Sequence, residues 1–130
     1  MKTRTYVEGK ITVPGFHCWP TAPVEFGYLK HQHRHLFVIR LRGYVSEFDR
    51  EIEFIDLGDS VRSFLLRSFK CNDGVFQFAS LSCEEIARRI LHAFQPEAFF
   101  CSVYEDDENG AAIEREESNV SQMIITRRSE

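Results

Sequence analysis

Residues 4–13 alternate, with Val7, Gly9, Ile11 and Val13 on one side and Tyr6, Glu8, Lys10 and Thr12 on the other. This period of two predicts a strand. Pro14-Gly15 is expected to interrupt or bulge it. Residues 16–30 carry Pro20, Pro23 and Gly27 among apolar positions, the composition of an ordered loop. Residues 33–45 are β-branched and aromatic and predict a long strand, with Arg50 to Phe54 as its antiparallel neighbour across a turn at 46–49. Leu57, Val61, Phe64, Leu65 and Phe69 recur at helical spacing and predict an amphipathic helix over 59–69, stopped by Asn72-Asp73-Gly74. Ser82-Cys83-Glu84-Glu85 has the form of a capping box, in which a hydroxyl and a carboxylate satisfy the free donors of a helix start. Ile86, Ile90 and Phe94 mark the buried face of that second helix, and Pro96 bounds it. A strand follows over 98–105, then an acidic turn and a partner strand at 111–114. The order β-β-β-α-α-β-β segregates strands from helices, so the expected class is α+β, an antiparallel sheet with two helices on one face.

At 130 residues, with 43% hydrophobic and 28% charged positions, the chain has the length and composition of one globular domain. The net charge of -4 argues against nucleic acid as a partner, because phosphate neutralisation needs a concentrated basic surface. No apolar run reaches the roughly 18–20 residues of a spanning helix, and the first residues lack a secretory pattern, so no membrane partner is expected and the expected location is the cytoplasm. Cys18, Cys71, Cys83 and Cys101 form no C-x-x-C pair, which removes thiolate zinc knuckles and dithiol redox motifs from consideration.

Histidine is the informative residue type, since four of the five lie between positions 17 and 35. Residues two apart on a strand share a face, so His33 and His35 present two imidazoles side by side while Arg34 points away. A catalytic zinc takes three protein ligands and keeps a fourth position open. The third ligand has two sources: His17, beside the Pro14-Gly15 interruption, or the local rival His31. Chance decoration of an exposed strand end is the plain alternative for any His-x-His pair.

Among the acidic residues, Glu105 ends the 98–105 strand, where a carboxylate can accept two parallel hydrogen bonds from the N-C-N edge of a guanine-like or pterin ring. The plain alternative is that it begins the acidic turn Asp106-Asp107-Glu108. Glu51 and Glu53 read as a solvated strand face, and Asp56 and Asp59 as residues favoured at a helix start. His92 reads as a surface residue near a helix end, and Trp19 as a core or lid anchor or a ring-stacking wall. The charged tail, 115–130, reads as a solvated extension or, alternatively, an edge strand or subunit contact.

Four segments in order carry a resemblance. His17 followed by His33-Arg34-His35-Leu36-Phe37-Val38, then Glu53-Phe54-Ile55-Asp56-Leu57, Ser82-Cys83-Glu84-Glu85-Ile86-Ala87 and Val103-Tyr104-Glu105, together resemble the 6-pyruvoyl-tetrahydropterin synthase and 6-carboxy-tetrahydropterin synthase family. The likeness spans roughly residues 5–114, taken as one domain over 1–114. It implies the tunnelling fold: a four-stranded antiparallel sheet with two helices on one face, joined edge to edge into an oligomeric barrel, usually a hexamer of two trimers. It also implies zinc held by His17, His33 and His35, a pterin-like small molecule gripped by Glu105, and sites between subunits. The sequence departs from the family at two places. Leu29 stands where the family has its cysteine base, and Leu66 to Phe78 holds Asp73 but no histidine partner. His31, Cys18 and Tyr28 are the replacement candidates for proton transfer, by proximity in sequence.

The resemblance, with its departures, leaves three expected functions. The first is a zinc-dependent lyase of the pterin or deazaguanine (queuosine) type acting on a dihydroneopterin triphosphate-like substrate with altered acid-base residues. The second is a protein on the same scaffold that binds such a ligand without turnover, and the third is a structural oligomer with vestigial histidines.

Overall fold

The computed structural model describes residues 2–116. The tail at 115–130 therefore falls, beyond Glu116, outside the described residues. The class is α+β, as expected. The strands are β1 (Thr5–His17), β2 (His33–Val45), β3 (Cys71–Asn72), β4 (Val75–Gln77), β5 (Ala98–Glu105) and β6 (Asn109–Glu114). The helices are α1 (Phe54–Ser68) and α2 (Cys83–Ala93), and a 3-10 helix (Val24–Lys30) sits inside the segment expected to be loop.

The expected four-stranded antiparallel sheet is corrected to a mixed sheet of six strands in the order β3-β4-β1-β2-β5-β6. Strands β1, β2, β5 and β6 pair antiparallel with one another in that order, while the small β3–β4 hairpin adds β4 parallel to β1 at Gly15 and Phe16. The hairpin arises because Asp73 and Gly74 both take positive φ, 52° and 80°. The turn that stops α1 thus folds the following residues back as strand rather than releasing them as loop.

Pro14-Gly15 does not break β1. The strand stays in register with β2 from Thr5 opposite Val45 to His17 opposite His33. The carbonyl of Phe16 accepts from the N–H of Phe78 on the β4 side. Alternation along a strand puts the nitrogen of Pro14 toward that same edge, and β4 pairs with β1 only from Gly15 onward. The missing N–H of Pro14 therefore removes no bond to β2.

The strand expected at Arg50 to Phe54 is absent. Arg50 takes a positive φ of 56°, and the Glu51 carboxylate accepts from the backbone N–H and hydroxyl of Ser46, closing the 46–51 loop on itself. Glu53 then caps α1, accepting from the N–H of Ile55 at 3.0 Å. The helix starts five residues before position 59 because Phe54 and Ile55, both largely exposed, lie outside the buried stripe that the periodicity detects.

Odd-numbered residues of β1 and β2 face the helices. Ile11, Val13, Phe37, Ile39 and Leu41, with Cys101 and Val103 of β5, are buried beneath Val61 and Leu65 of α1 and Ile86, Ala87 and Ile90 of α2. Burial of this apolar face is the main stabilising term. Gly9 lets α1 approach the sheet closely: a Cβ there would lie 2.9 Å from the backbone nitrogen of Gly58. Gly15 does the same for the Phe78 ring, which would come within 2.6 Å of a Cβ. Phe78 in turn packs edge-on against Phe37.

Gly15→Ala is expected to lower unfolding stability by about 1–3 kcal/mol in urea denaturation, since the ring it would meet is wedged among other core aromatics. Ser82 accepts from the N–H of Glu85 at 3.1 Å at the start of α2, so Ser82→Ala is expected to cost about 1 kcal/mol in the same measurement.

Candidate metal centre

The buried face of the sheet changes character at one end. Proceeding along the odd positions of β2, Ile39 and Phe37 give way to His35 and His33, and along β1, Ile11 and Val13 give way to Gly15 and His17. The register sets His17 opposite His33, His35 opposite the side-chain-free Gly15, and Glu105 of β5 opposite Phe37. One ligand atom from each of His17, His33, His35 and Glu105 falls within 4.8 Å of the others. His17 is buried, and the other three are half-buried.

The hydrogen bonds around the cluster fix the imidazole tautomers. Nδ1 of His17 lies 3.0 Å from the carbonyl of Leu81, and Nδ1 of His33 lies 3.0 Å from the carbonyl of His31. A carbonyl oxygen only accepts, so each Nδ1 carries the hydrogen. Nδ1 of His35 lies 2.8 Å from the carboxylate of Asp106, whose other oxygen accepts from the N–H of Leu36 at 2.9 Å. That backbone bond first, and the His35 contact second, hold the Asp106 carboxyl below the usual carboxylate range, so it too acts as the acceptor. In the neutral rings all three Nε2 atoms then carry lone pairs and are free to ligate. An imidazole whose far nitrogen is held by a carbonyl or carboxylate is the arrangement found around protein metal ions.

Nε2 of His17 is 2.8 Å from Oε1 of Glu105, and Nε2 of His35 is 3.3 Å from Oε2. The His17 atom is buried and, despite the short distance, is not aligned for a hydrogen bond with any described group. A lone pair against a carboxylate is repulsive unless positive charge stands between them. A ring proton or a metal ion can supply that charge, and three imidazole nitrogens with one carboxylate are a donor set that a divalent ion accepts. The cluster could hold a metal ion.

Beside it opens a cleft of about 480 Å³, lined by His17, His33 and Glu105 on the sheet side, Trp19 and Leu29 on one wall and Cys83 at the start of α2, among others. Trp19 is half-exposed and stacks on Phe26, and its backbone N–H donates to the carbonyl of Leu29 at 2.7 Å, so the loop after β1 forms a wall of the cleft. Of the three candidates for proton transfer, Cys18 lines the cleft, whereas His31 and Tyr28 do not. Tyr28 is 71% exposed, and His31 meets the cluster through its carbonyl, against Nδ1 of His33. His92 stays at the surface, beside Gln95.

Two neighbours of the site carried no signal in the sequence. Asp106 reads as part of an acidic turn. It reaches His35 because Asp106 and Asp107 take positive φ of 54° and 56° and fold the β5–β6 turn back over the end of β2. Cys83 reads as the second residue of a capping box, yet its thiol faces Glu105, with Sγ 3.8 Å from Oε1. Burial, and after it the Glu105 charge, push this thiol up to about 12.

Asp106→Ala is expected to weaken zinc binding by about 10–100-fold in a competition titration with a chelating dye, because His35 loses its orienting acceptor. The depressed Asp106 carboxyl keeps its contacts above the ordinary carboxylate range and loses them as pH falls through its lowered value, so acid should release His35 and Leu36 together. Cys18 is half-buried while Cys83 and Cys101 are buried, so iodoacetamide should label Cys18 well before either, read by peptide mass spectrometry. Burial likewise pushes Cys101 up to about 12.

No family model matches the chain, and no curated protein matches it. Among solved structures, the chain is similar to an uncharacterized protein of Wolinella succinogenes, with a TM-score of 0.60 and 10% sequence identity over 88% of this chain and 100% of the other. At that identity the likeness is one of fold.

Proposed function

We propose that the chain is a zinc-dependent lyase resembling the 6-pyruvoyl- and 6-carboxy-tetrahydropterin synthases, acting on a dihydroneopterin triphosphate-like substrate. The observation that carries the reading is the convergence of three Nε2 lone pairs, each imidazole locked from behind, at a cleft roomy enough for a bicyclic ring. A bound zinc supplies Lewis acidity, polarising substrate oxygens and acidifying the neighbouring carbon–hydrogen bonds. His17, His33 and His35 hold it. Trp19 and Leu29 offer an apolar wall against which a flat ring can stack. Glu105 is the carboxylate available to accept from an N-C-N edge, and Cys18 is the one of the three expected proton-transfer residues that lines the cleft. The same reading takes the protein to be a homo-oligomer, a barrel of edge-joined sheets with sites between subunits, working in the cytoplasm.

A second reading, a ligand-binding protein without turnover, is favoured by one feature. Leu29 puts a hydrocarbon on the cleft wall at the position where the family carries its cysteine base, and neither His31 nor Tyr28 lines the cleft to replace it.

Incubation of zinc-loaded protein with dihydroneopterin triphosphate separates the two readings. The lyase is expected to release inorganic triphosphate, with Cys18→Ser lowering the rate by about 10²-fold or more. Saturable binding with no release supports the binder. Neither binding nor release overturns both.

A further inference from the structure

Glu105 is drawn toward the histidines, and its distances to them are those between neighbouring ligands on one ion. Donors at about 2.0–2.2 Å from a metal stand roughly 2.8–3.6 Å apart along the edges of an octahedron or tetrahedron. Oε1 to His17 Nε2 is 2.8 Å and Oε2 to His35 Nε2 is 3.3 Å. The first contact is not a hydrogen bond, because the His17 nitrogen has no aligned partner; in neutral rings whose Nδ1 atoms donate elsewhere, Nε2 meets the carboxylate as a lone pair. The carboxylate also has a reason to stay. It ends β5 opposite Phe37, and its following residue, Asp106, is tied to both the backbone of Leu36 and the ring of His35. The strand end that carries Glu105 is therefore fastened to the strand that carries two of the histidines.

On the reading that the three histidines hold zinc, we propose that Glu105 is itself a metal ligand in the ligand-free protein, closing the coordination position that a substrate would use. The same two oxygens cannot cap the ion and grip a ring at once. A substrate therefore enters by displacing the carboxylate, and Glu105 becomes available to an N-C-N edge only on that exchange. This makes Glu105 a gate as well as an anchor, and it predicts that small external ligands reach the metal poorly while the carboxylate is in place.

Cobalt(II), which reports coordination through its visible absorption, tests this on the full chain. Wild type, Glu105→Gln, Glu105→Ala and His33→Ala are loaded with cobalt(II), and imidazole is then added as a neutral external ligand. Glu105→Ala is expected to alter the cobalt spectrum, to weaken cobalt binding by about tenfold or more, and to take up imidazole at least about tenfold more tightly than wild type. Glu105→Gln, which keeps the side-chain shape without the charge, should shift in the same direction. Added acetate should return the Glu105→Ala spectrum toward that of wild type. Wild-type spectrum, cobalt affinity and imidazole affinity in both Glu105 variants would overturn the capping role while leaving the histidine site intact. Absence of cobalt binding in wild type as well as His33→Ala would instead remove the metal centre itself, and the capping role with it.

Discussion

The uninterrupted antiparallel register of β1 on β2 is the constraint on which the rest depends. Thirteen consecutive pairs, from Thr5 opposite Val45 to His17 opposite His33, keep every odd residue of both strands on the helix-facing side. A slip of one residue would send the apolar row to the opposite face and take the histidines with it. The apolar core and the imidazole cluster are therefore consecutive stretches of one surface. Packing of Ile11, Val13, Phe37 and Ile39 under the helices holds the register, and the register delivers His17 to His33 and His35.

The histidine end of that surface is arranged at three depths. The carbonyls of Leu81 and His31 and the carboxylate of Asp106 hold the imidazoles from behind. These acceptors come from the lead-in to α2, the loop before β2 and the β5–β6 turn. Three separate connections must therefore close correctly before the three lone pairs converge. Gly15 supports the arrangement by omission, leaving the space that the Phe78 ring fills beneath the site.

The resemblance to the tetrahydropterin synthases and the geometry meet at the four residues that could hold a metal ion and part at the positions where that family carries its acid-base groups. Leu29 lines the cleft as a hydrocarbon, and Cys18 lines it as a thiol. Proton transfer under the lyase reading would therefore use groups other than those of the family it resembles.

Much of the architecture was legible where local rules are strong. The alternation of 4–13 and 33–45, the Ser82–Glu85 box and the strand 98–105 all appear as elements, because period and capping act over a few neighbouring residues. Legibility failed where a local signal pointed one way and a longer contact the other. Pro14-Gly15 reads as a break, but the strand pairs straight through it since the prolyl nitrogen faces the edge away from β2. Residues 50–54 read as strand, but Glu51 bonds to Ser46 and Glu53 to the N–H of Ile55, turning the segment into a loop and a helix cap. The sequence by itself determined the α+β class and the pairing of His33 with His35, because side-chain direction along a strand needs no partner. The resemblance already pointed to His17 over His31, but only the tertiary structure brings its ring against those of His33 and His35, and only it decides that Asp106 orients His35 and that Glu105 turns toward the ring nitrogens. Each of those depends on the meeting of segments 16 to 88 residues apart, which no local pattern encodes.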